Sequence, residues 1–217
     1  MARILDFKLF DNISERTKNE LLKLDFFSKN YESGEMVLSK EEELNYAMFI
    51  EKGCLKACEY TINGKEIVSS YYLTGDAFPF YLYFGHTREF PYDVYATKKT
   101  KVYFLPFKEF EKIMDTDIVL TKNILKFVAE YTCFNKLVIR ATQYSKVSQR
   151  LAYWILHLDE VDYLKLPTSQ TMLADILRVN RPSLNQELKK FADDKAIYIE
   201  AMEIHVLNRD YLLKIID

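Results

Sequence analysis

Cysteine is scarce in this chain. Cys54, Cys58 and Cys133 cannot all pair with one another, and they show no CxxC spacing, so a disulfide framework and a zinc ribbon are both excluded. Reduced thiols in a cytoplasmic protein are the simplest expectation. No stretch of about 18 uninterrupted apolar residues exists, which excludes a helical membrane span. The opening Met1-Ala2-Arg3-Ile4-Leu5-Asp6 meets an acid early and has no long apolar core, so it is not expected to act as a signal peptide. Histidine is limited to His86, His157 and His205, scattered and unsuited to a metal or haem site. A formal net charge of -2 excludes a broadly basic nucleic-acid coat but leaves room for a local basic patch.

Glycine is confined to Gly34, Gly53, Gly64, Gly75 and Gly85, the last four recurring every ten or eleven residues. Between them lie the strand-like runs Ala47–Ile50, Leu55–Tyr60 and Ile67–Tyr72, and Asn63-Gly64 is a strong tight-turn dipeptide. Further strands are expected at Val94–Ala96 and Val102–Leu105, ending at Pro106. Short strands at this regular spacing indicate a β-sandwich or barrel. A leading helix over 14–24 is expected, with Ser14 as its N-cap.

After Gly85 the period changes. Leu120, Ile124, Phe127, Tyr131, Phe134 and Val138 are spaced 4, 3, 4, 3 and 4 residues apart, a heptad seam on a helix with no breaker over 116–144. Such a stripe must be buried, either against the chain's own β-domain or against a second copy across a dimer axis. Leu125, Val128 and Leu137 offer a second apolar flank. Another helix is expected from Lys146 to Leu158, with Val147, Leu151, Trp154, Ile155 and Leu158 on one face. Thr142–Ser145 interrupts the seam and marks a domain boundary.

The segment from Thr168 to Ile197 has the pattern of a helix-turn-helix. Thr168 or Ser169 caps a first helix whose apolar face is Met172, Leu173, Ile176 and Leu177, and Ala174 is small where two helices cross. Arg178-Val179-Asn180 makes the turn, with Val179 beneath it. Asn180 caps the next helix, Pro182 lies in its first turn, and Leu184, Leu188 and Phe191 form its buried face. Arg181, Ser183, Asn185, Gln186, Lys189 and Lys190 then point outward. The major groove admits one helix. Arg can bond guanine O6 and N7, Gln can bond adenine N6 and N7, and lysines hold phosphates. Alternation from Ile197 to Leu207 adds a short hairpin, a wing. From residue 145 onward ten Lys and Arg stand against eleven Asp and Glu, so the favourable charge is local, at Arg178, Arg181, Lys189 and Lys190. Salt-sensitive binding with little non-specific affinity is expected.

These landmarks resemble the Crp/Fnr family of regulators over nearly the whole chain: Gly34-Glu35, Ile50-Glu51-Lys52-Gly53, Leu73-Thr74-Gly75-Asp76, and Val179-Asn180-Arg181-Pro182-Ser183-Leu184. The resemblance implies an α+β chain with an N-terminal double-stranded β-helix (jelly roll), a long dimerisation helix and a C-terminal winged helix-turn-helix. The expected domains are a cyclic-nucleotide-binding-like sensor over 1–115, the dimerisation helix over 116–144 and the DNA-binding domain over 145–217. It further implies a homodimer on a pseudo-palindromic operator of double-stranded DNA, in contact with RNA polymerase if it activates. The expected DNA-binding residues are Ser169, Gln170, Asn180, Arg181, Ser183, Asn185, Gln186, Lys189 and Lys190, with Arg181 and Gln186 reading bases. The expected dimer interface is the seam from Leu120 to Val138.

The sensor departs from the cyclic-AMP-binding members. They place a Glu for the ribose and an Arg for the cyclic phosphate where this chain has Pro79-Phe80 and Phe90-Pro91, Arg88 being out of register. Cyclic AMP is therefore not expected to bind. No cysteine cluster precedes Cys54, which excludes the iron–sulfur chemistry of the Fnr type, and no cofactor is expected. Two readings of the aromatic-rich region 71–95 remain: the rings fill a vacated nucleotide pocket, or they line a site for an apolar or aromatic small molecule. Tyr72, Phe80, Tyr81, Tyr95, Tyr131 and Asn135 are the candidates for such a site. An enzyme is not expected, since the barrel region holds only His86 and the chain shows no Ser/His/Asp set, P-loop or glycine-rich dinucleotide motif. The alternative weighed beside DNA reading is a ligand-sensing β-roll that acts mainly through protein partners.

Overall fold

Alternating apolar residues and regularly spaced glycines become two facing sheets in a computed structural model that describes residues 3–87, 89–157, 169–200 and 203–217. The chain divides into two units, Met1–Ala129 and Glu130–Asp217. The division falls inside one long helix.

In the first unit two short 3-10 helices (Arg3–Asp6 and Lys8–Phe10) lead to α1 (Glu15–Leu21), capped by the Ser14 hydroxyl, which accepts from the Thr17 amide at 3.1 Å. Eight strands follow: β1 (Phe27–Tyr31), β2 (Met36–Leu38), β3 (Tyr46–Lys52), β4 (Cys54–Tyr60), β5 (Glu66–Leu73), β6 (Ala77–Phe78), β7 (Asp93–Ala96) and β8 (Thr100–Pro106). They pair antiparallel in two four-stranded sheets, ordered β1-β8-β3-β6 and β2-β7-β4-β5, the strand order of a jelly roll. Both faces of β3 are buried, so its alternate residues serve different cores. Met48 and Ile50 join Leu55, Ala57, Tyr72, Phe78, Phe90 and Val102 in the roll interior. Ala47 and Phe49 join Phe7, Phe10, Phe107 and Phe110 on the other side, beneath the helices. Gly53, between β3 and β4, has φ +119, and a Cβ there would lie 2.6 Å from the Cα of Thr100. Only glycine satisfies both the backbone angle and the approach.

Three helices complete this unit's architecture: α2 (Phe80–Phe84), α3 (Phe107–Met114) and the start of α4 (Ile118–Gln143). Of the two partners that the heptad seam left open, the chain's own β-domain takes the start of it. Leu120 and Ile124 are fully buried in the helix-side core of their own chain, and Phe127 packs against it. Large aromatic and aliphatic side chains at a helical period fill whichever apolar surface is nearest, and the outer face of the first sheet supplies it. Farther along α4, Phe134 and Val138 pack against the core of the second unit, and Tyr131 is half-buried.

The second unit contains the rest of α4 together with α5 (Val147–Leu156), α6 (Gln170–Ile176), α7 (Arg181–Asp193), the hairpin β9 (Ile197–Glu200) and β10 (Glu203–Val206), and α8 (Arg209–Ile216). Leu151, Trp154, Leu173, Ala174, Leu177, Leu184, Leu188, Phe191 and Leu212 make its core. The expected apolar faces of α5, α6 and α7 supply most of it. Leu158 on the expected α5 face, Thr168 as an alternative cap, and Ala201 and Met202 in the wing lie outside the described residues.

Candidate nucleic-acid interface

Local chemistry sets the helix-turn-helix. The Ser169 hydroxyl accepts from the Met172 amide at 3.1 Å and starts α6. The Asn180 side chain accepts from the Ser183 amide at 2.8 Å and starts α7, with Pro182 in the first turn. Each cap satisfies a backbone donor that a helix start leaves unpaired. Both helices also end alike. Val179 and Arg178 donate to the carbonyls of Ala174 and Asp175 at 2.9 and 3.1 Å, while Ala196 and Lys195 donate to Phe191 and Ala192 at 2.8 and 3.0 Å. These are Schellman motifs. Their left-handed positions are occupied by Arg178 (φ +53) and Lys195 (φ +54) instead of glycine, which this half of the chain lacks.

Burying Leu184, Leu188 and Phe191 turns the opposite face of α7 outward. Arg181, Gln186, Lys189 and Lys190 are exposed there, and Asn180 is exposed at the start. Ser183, Asn185, Ser169 and Gln170 are half-buried. The Asn185 amide oxygen and one Glu187 carboxylate oxygen are buried without a hydrogen-bond partner, so Asn185 presents only part of its amide outward. The structure thus leaves Arg181, Gln186, Lys189 and Lys190 exposed along α7, with Ser169 and Asn180 engaged in capping. Along β9 and β10 the described side chains include Glu200 and Glu203 and no Lys or Arg, so the hairpin has no cation for phosphate. His205 lies 3.8 Å from Glu203.

Sequence reasoning missed Arg150. It lies between the apolar residues of α5, and its guanidinium faces the helix-turn-helix turn. Nε donates to the Tyr144 carbonyl at 2.7 Å, and Nη1 donates to the carbonyls of Leu177 and Arg178 at 3.0 Å each. The signal available was a lone Arg beside the apolar face of a helix preceding the motif.

The candidate effector residues separate. Tyr72 is buried in the roll interior with its ring stacked on Phe78, centroids 4.0 Å apart, and Tyr81 packs against the same cluster. Phe80 faces the helix-side core instead, against Phe49, Phe107 and Phe127. Tyr95 pairs with Lys56 across the strands, and cross-strand partners share a face. That face is opposite the inward Leu55 and Ala57, so Tyr95 leaves the interior as well. Tyr131 and Asn135 belong to the second unit and are half-buried. Phe90, where the cyclic-AMP-binding pattern calls for a phosphate-binding Arg, is fully buried 6.1 Å from Phe78. Burial pushes the thiols of Cys54 and Cys58 up from their ordinary pKa, keeping both in the unreactive form.

Two family models match the sequence: a cyclic nucleotide-binding domain over residues 28–117 and a Crp-like helix-turn-helix domain over residues 149–215. No curated protein sequence matches this one. Among solved structures, FixK2 from Bradyrhizobium japonicum is 17% identical, with 88% of this chain and 98% of that chain covered and a TM-score of 0.66. A CooA variant from Carboxydothermus hydrogenoformans is 16% identical over 99% of this chain and 94% of that one, with a TM-score of 0.70. The catabolite activator protein of Thermus thermophilus is 15% identical over 96% and 97%, with a TM-score of 0.51. At these identities the likeness is one of fold.

Proposed function

The chain belongs to the Crp/Fnr family of DNA-binding transcription regulators, and we propose that it works as a homodimer on a pseudo-palindromic operator. The observation that carries this reading is the α7 surface. It offers one guanidinium and one long amide near the helix start, and two lysines farther along, on a helix held by caps at a fixed turn. Arg181 and Gln186 read base edges, and Lys189 and Lys190 hold phosphates and set the register. This chemistry favours DNA reading over a role through protein partners alone.

The dimer reading rests on a different stripe of α4 from the one the heptad seam suggested. Ile118, Leu125 and Ile139 are 65%, 68% and 59% exposed and lie seven and fourteen residues apart, the spacing of a coiled-coil seam. A second copy of the chain would bury them about a two-fold axis. Two α7 helices about 34 Å apart would then reach successive major grooves.

The effector, if the roll takes one, is an apolar or aromatic small molecule and not a cyclic nucleotide. The buried Phe90 ring replaces a cation for the cyclic phosphate, and an anion placed there would be unpaired. The work of such a protein is cytoplasmic, at the chromosome, with RNA polymerase as a further partner where it activates. No helix among the described residues is long and apolar enough to cross a membrane. Selection of binding sites from a random duplex pool tests the central claim. Enrichment of a two-fold symmetric site supports it. Enrichment of an asymmetric site, or of none with or without cell extract, overturns it.

A further inference from the structure

We infer that Arg150 is the positioning residue for DNA reading, a clasp that holds the turn between α6 and α7 in the conformation that presents Arg181 and Gln186. The inference rests on the DNA-reading role proposed above and adds a residue outside the recognition surface. One guanidinium reaches three backbone carbonyls: Tyr144, just past the end of α4, and Leu177 and Arg178, at the end of α6. All three, with Arg150 itself, lie in the second unit.

The chemistry of the turn explains why a clasp is needed there. The last carbonyls of a helix have no partners within it. Here the chain must also pass through a left-handed residue, and Arg178 does so with φ +53 although it carries a Cβ. A Gly would hold that angle freely, but an Arg does so only where its surroundings favour it. Arg150 bonds the carbonyls on either side of the Leu177–Arg178 step. Asn180, two residues beyond Arg178, begins α7, so the direction of α7 depends on this turn. The planar guanidinium suits the task. It presents several donors in a fixed fork, whereas a lysine ammonium is a single point on a flexible stem. The same fork reaches back to Tyr144, which links the reading turn to the end of the long helix. With Nε and Nη1 turned onto carbonyls, the guanidinium is engaged inside its own chain and is not spent on a phosphate.

The test uses the full chain with Arg150→Met, which keeps the aliphatic stem and removes every donor, and Arg150→Lys. Lys190→Ala serves as the reference for a lost phosphate contact. Affinity is measured for the selected operator and for random duplex DNA over a range of salt. Folding of the same unit is followed through Trp154, the sole tryptophan, buried in its core. A clasp predicts that Arg150→Met weakens operator binding roughly five- to a hundredfold, the range of an ordinary coupling between sites. Its affinity for random DNA and the salt slope should stay as in the wild type, and Arg150→Lys should recover only part of the loss. Equal losses on both DNAs, with the slope falling by about 0.9 as expected for one phosphate, would make Arg150 a direct contact and overturn the inference. Unchanged operator affinity overturns it too. Should Arg150→Met fail to fold, the operator-to-random ratio of a folded Arg150→Lys decides: a reduced ratio supports the clasp and an unchanged ratio removes it. A wild-type protein that selects no site overturns the DNA-reading premise instead, a result separable from the others.

Discussion

The Asp117 carboxylate accepts a hydrogen bond from the Thr17 hydroxyl, joining residues one hundred positions apart. The same carboxylate accepts from the Ser14 amide at 3.1 Å and from the Val119 and Leu120 amides at 2.9 and 3.2 Å. One buried acid therefore serves the first turns of both α1 and α4 and fixes the leading helix to the start of the long one. A carboxylate suits this place because both helix starts present unpaired N–H groups and positive partial charge.

The Thr17 bond, followed by those from the Ser14, Leu120 and Val119 amides, holds the Asp117 carboxyl down at about 2, below its ordinary 3.8, against the opposing effect of burial. A carboxyl whose folded pKa is depressed adds stability above its unfolded value, and that stability disappears as pH falls through the folded one. The contribution is thus complete above about pH 4 and fades toward pH 2. It is on the order of 1 kcal/mol once solvent screening is allowed for. Thermal unfolding of the wild type and Asp117→Asn should differ most near neutrality and converge between pH 4 and pH 2. A gap that stays constant down to pH 2 would show that the carboxylate charge has no part in it.

Neighbouring residues on α4 should respond in opposite ways. Ile124 is 3% exposed in the helix-side core, so Ile124→Ala should cost about 3 kcal/mol of stability. Leu125 is 68% exposed, so Leu125→Glu should leave the protomer folded and shift it toward monomer. Sedimentation equilibrium read beside thermal unfolding separates the two effects. A Leu125→Glu protein that remains fully dimeric would remove Ile118, Leu125 and Ile139 from the interface.

This pair also shows where the sequence was readable and where it stopped. The helix, its heptad period and the need to bury Leu120 through Val138 were all legible. Periodicity reports that a face is buried, not what buries it, and the outer face of the first sheet claimed Leu120 and Ile124. The reading helix was legible to individual residues because caps, proline and apolar spacing act locally. The aromatic cluster was not. Tyr72 and Phe80 lie close in sequence, but a strand directs one into the roll and a short helix directs the other toward the helices. Composition cannot distinguish those directions. The partners of the Arg150 clasp are brought near only by the tertiary fold, so its one local trace was a lone Arg beside the apolar face of α5.

On the reading helix, side chains should sort by what they lose. Arg181→Ala should cost about 1–3 kcal/mol on the selected operator and relax preference at one base pair. Gln186→Ala should relax a different position, an adenine. Lys190→Ala should weaken all sequences alike and lower the salt slope by about 0.9. Repeating the selection with each variant gives the positions directly. An Arg181→Ala protein with unchanged base preferences would exclude Arg181 as a base reader.

Cyclic AMP at millimolar concentration should leave the thermal unfolding of the first unit where it was. A ligand that binds only the folded state raises the midpoint by mass action, and here Phe90 and the Tyr72–Phe78 stack occupy the roll interior. A rise in the midpoint that grows with cyclic AMP concentration would refute this and return the nucleotide as a candidate effector.

Lys195 supplies a final test, because its strain is local and its side chain has no capping role in the geometry. It occupies the left-handed position of the Schellman motif that ends α7, where the backbone bonds to Ala192 and Phe191 do the work. The Cβ at φ +54 costs about 1–2 kcal/mol that glycine does not incur. Glycine in turn gains chain entropy in the unfolded state, which offsets part of the benefit. The net for Lys195→Gly should be a stabilisation of about 0.5–1 kcal/mol, visible as a higher midpoint in the Trp154 signal. The same exchange at Arg178 relieves similar strain but removes a cation beside the reading helix. Stability should therefore rise in both variants, while DNA affinity falls only in Arg178→Gly. A loss of stability in Lys195→Gly would mean that the lysine side chain contributes more to the end of α7 than its backbone angle costs.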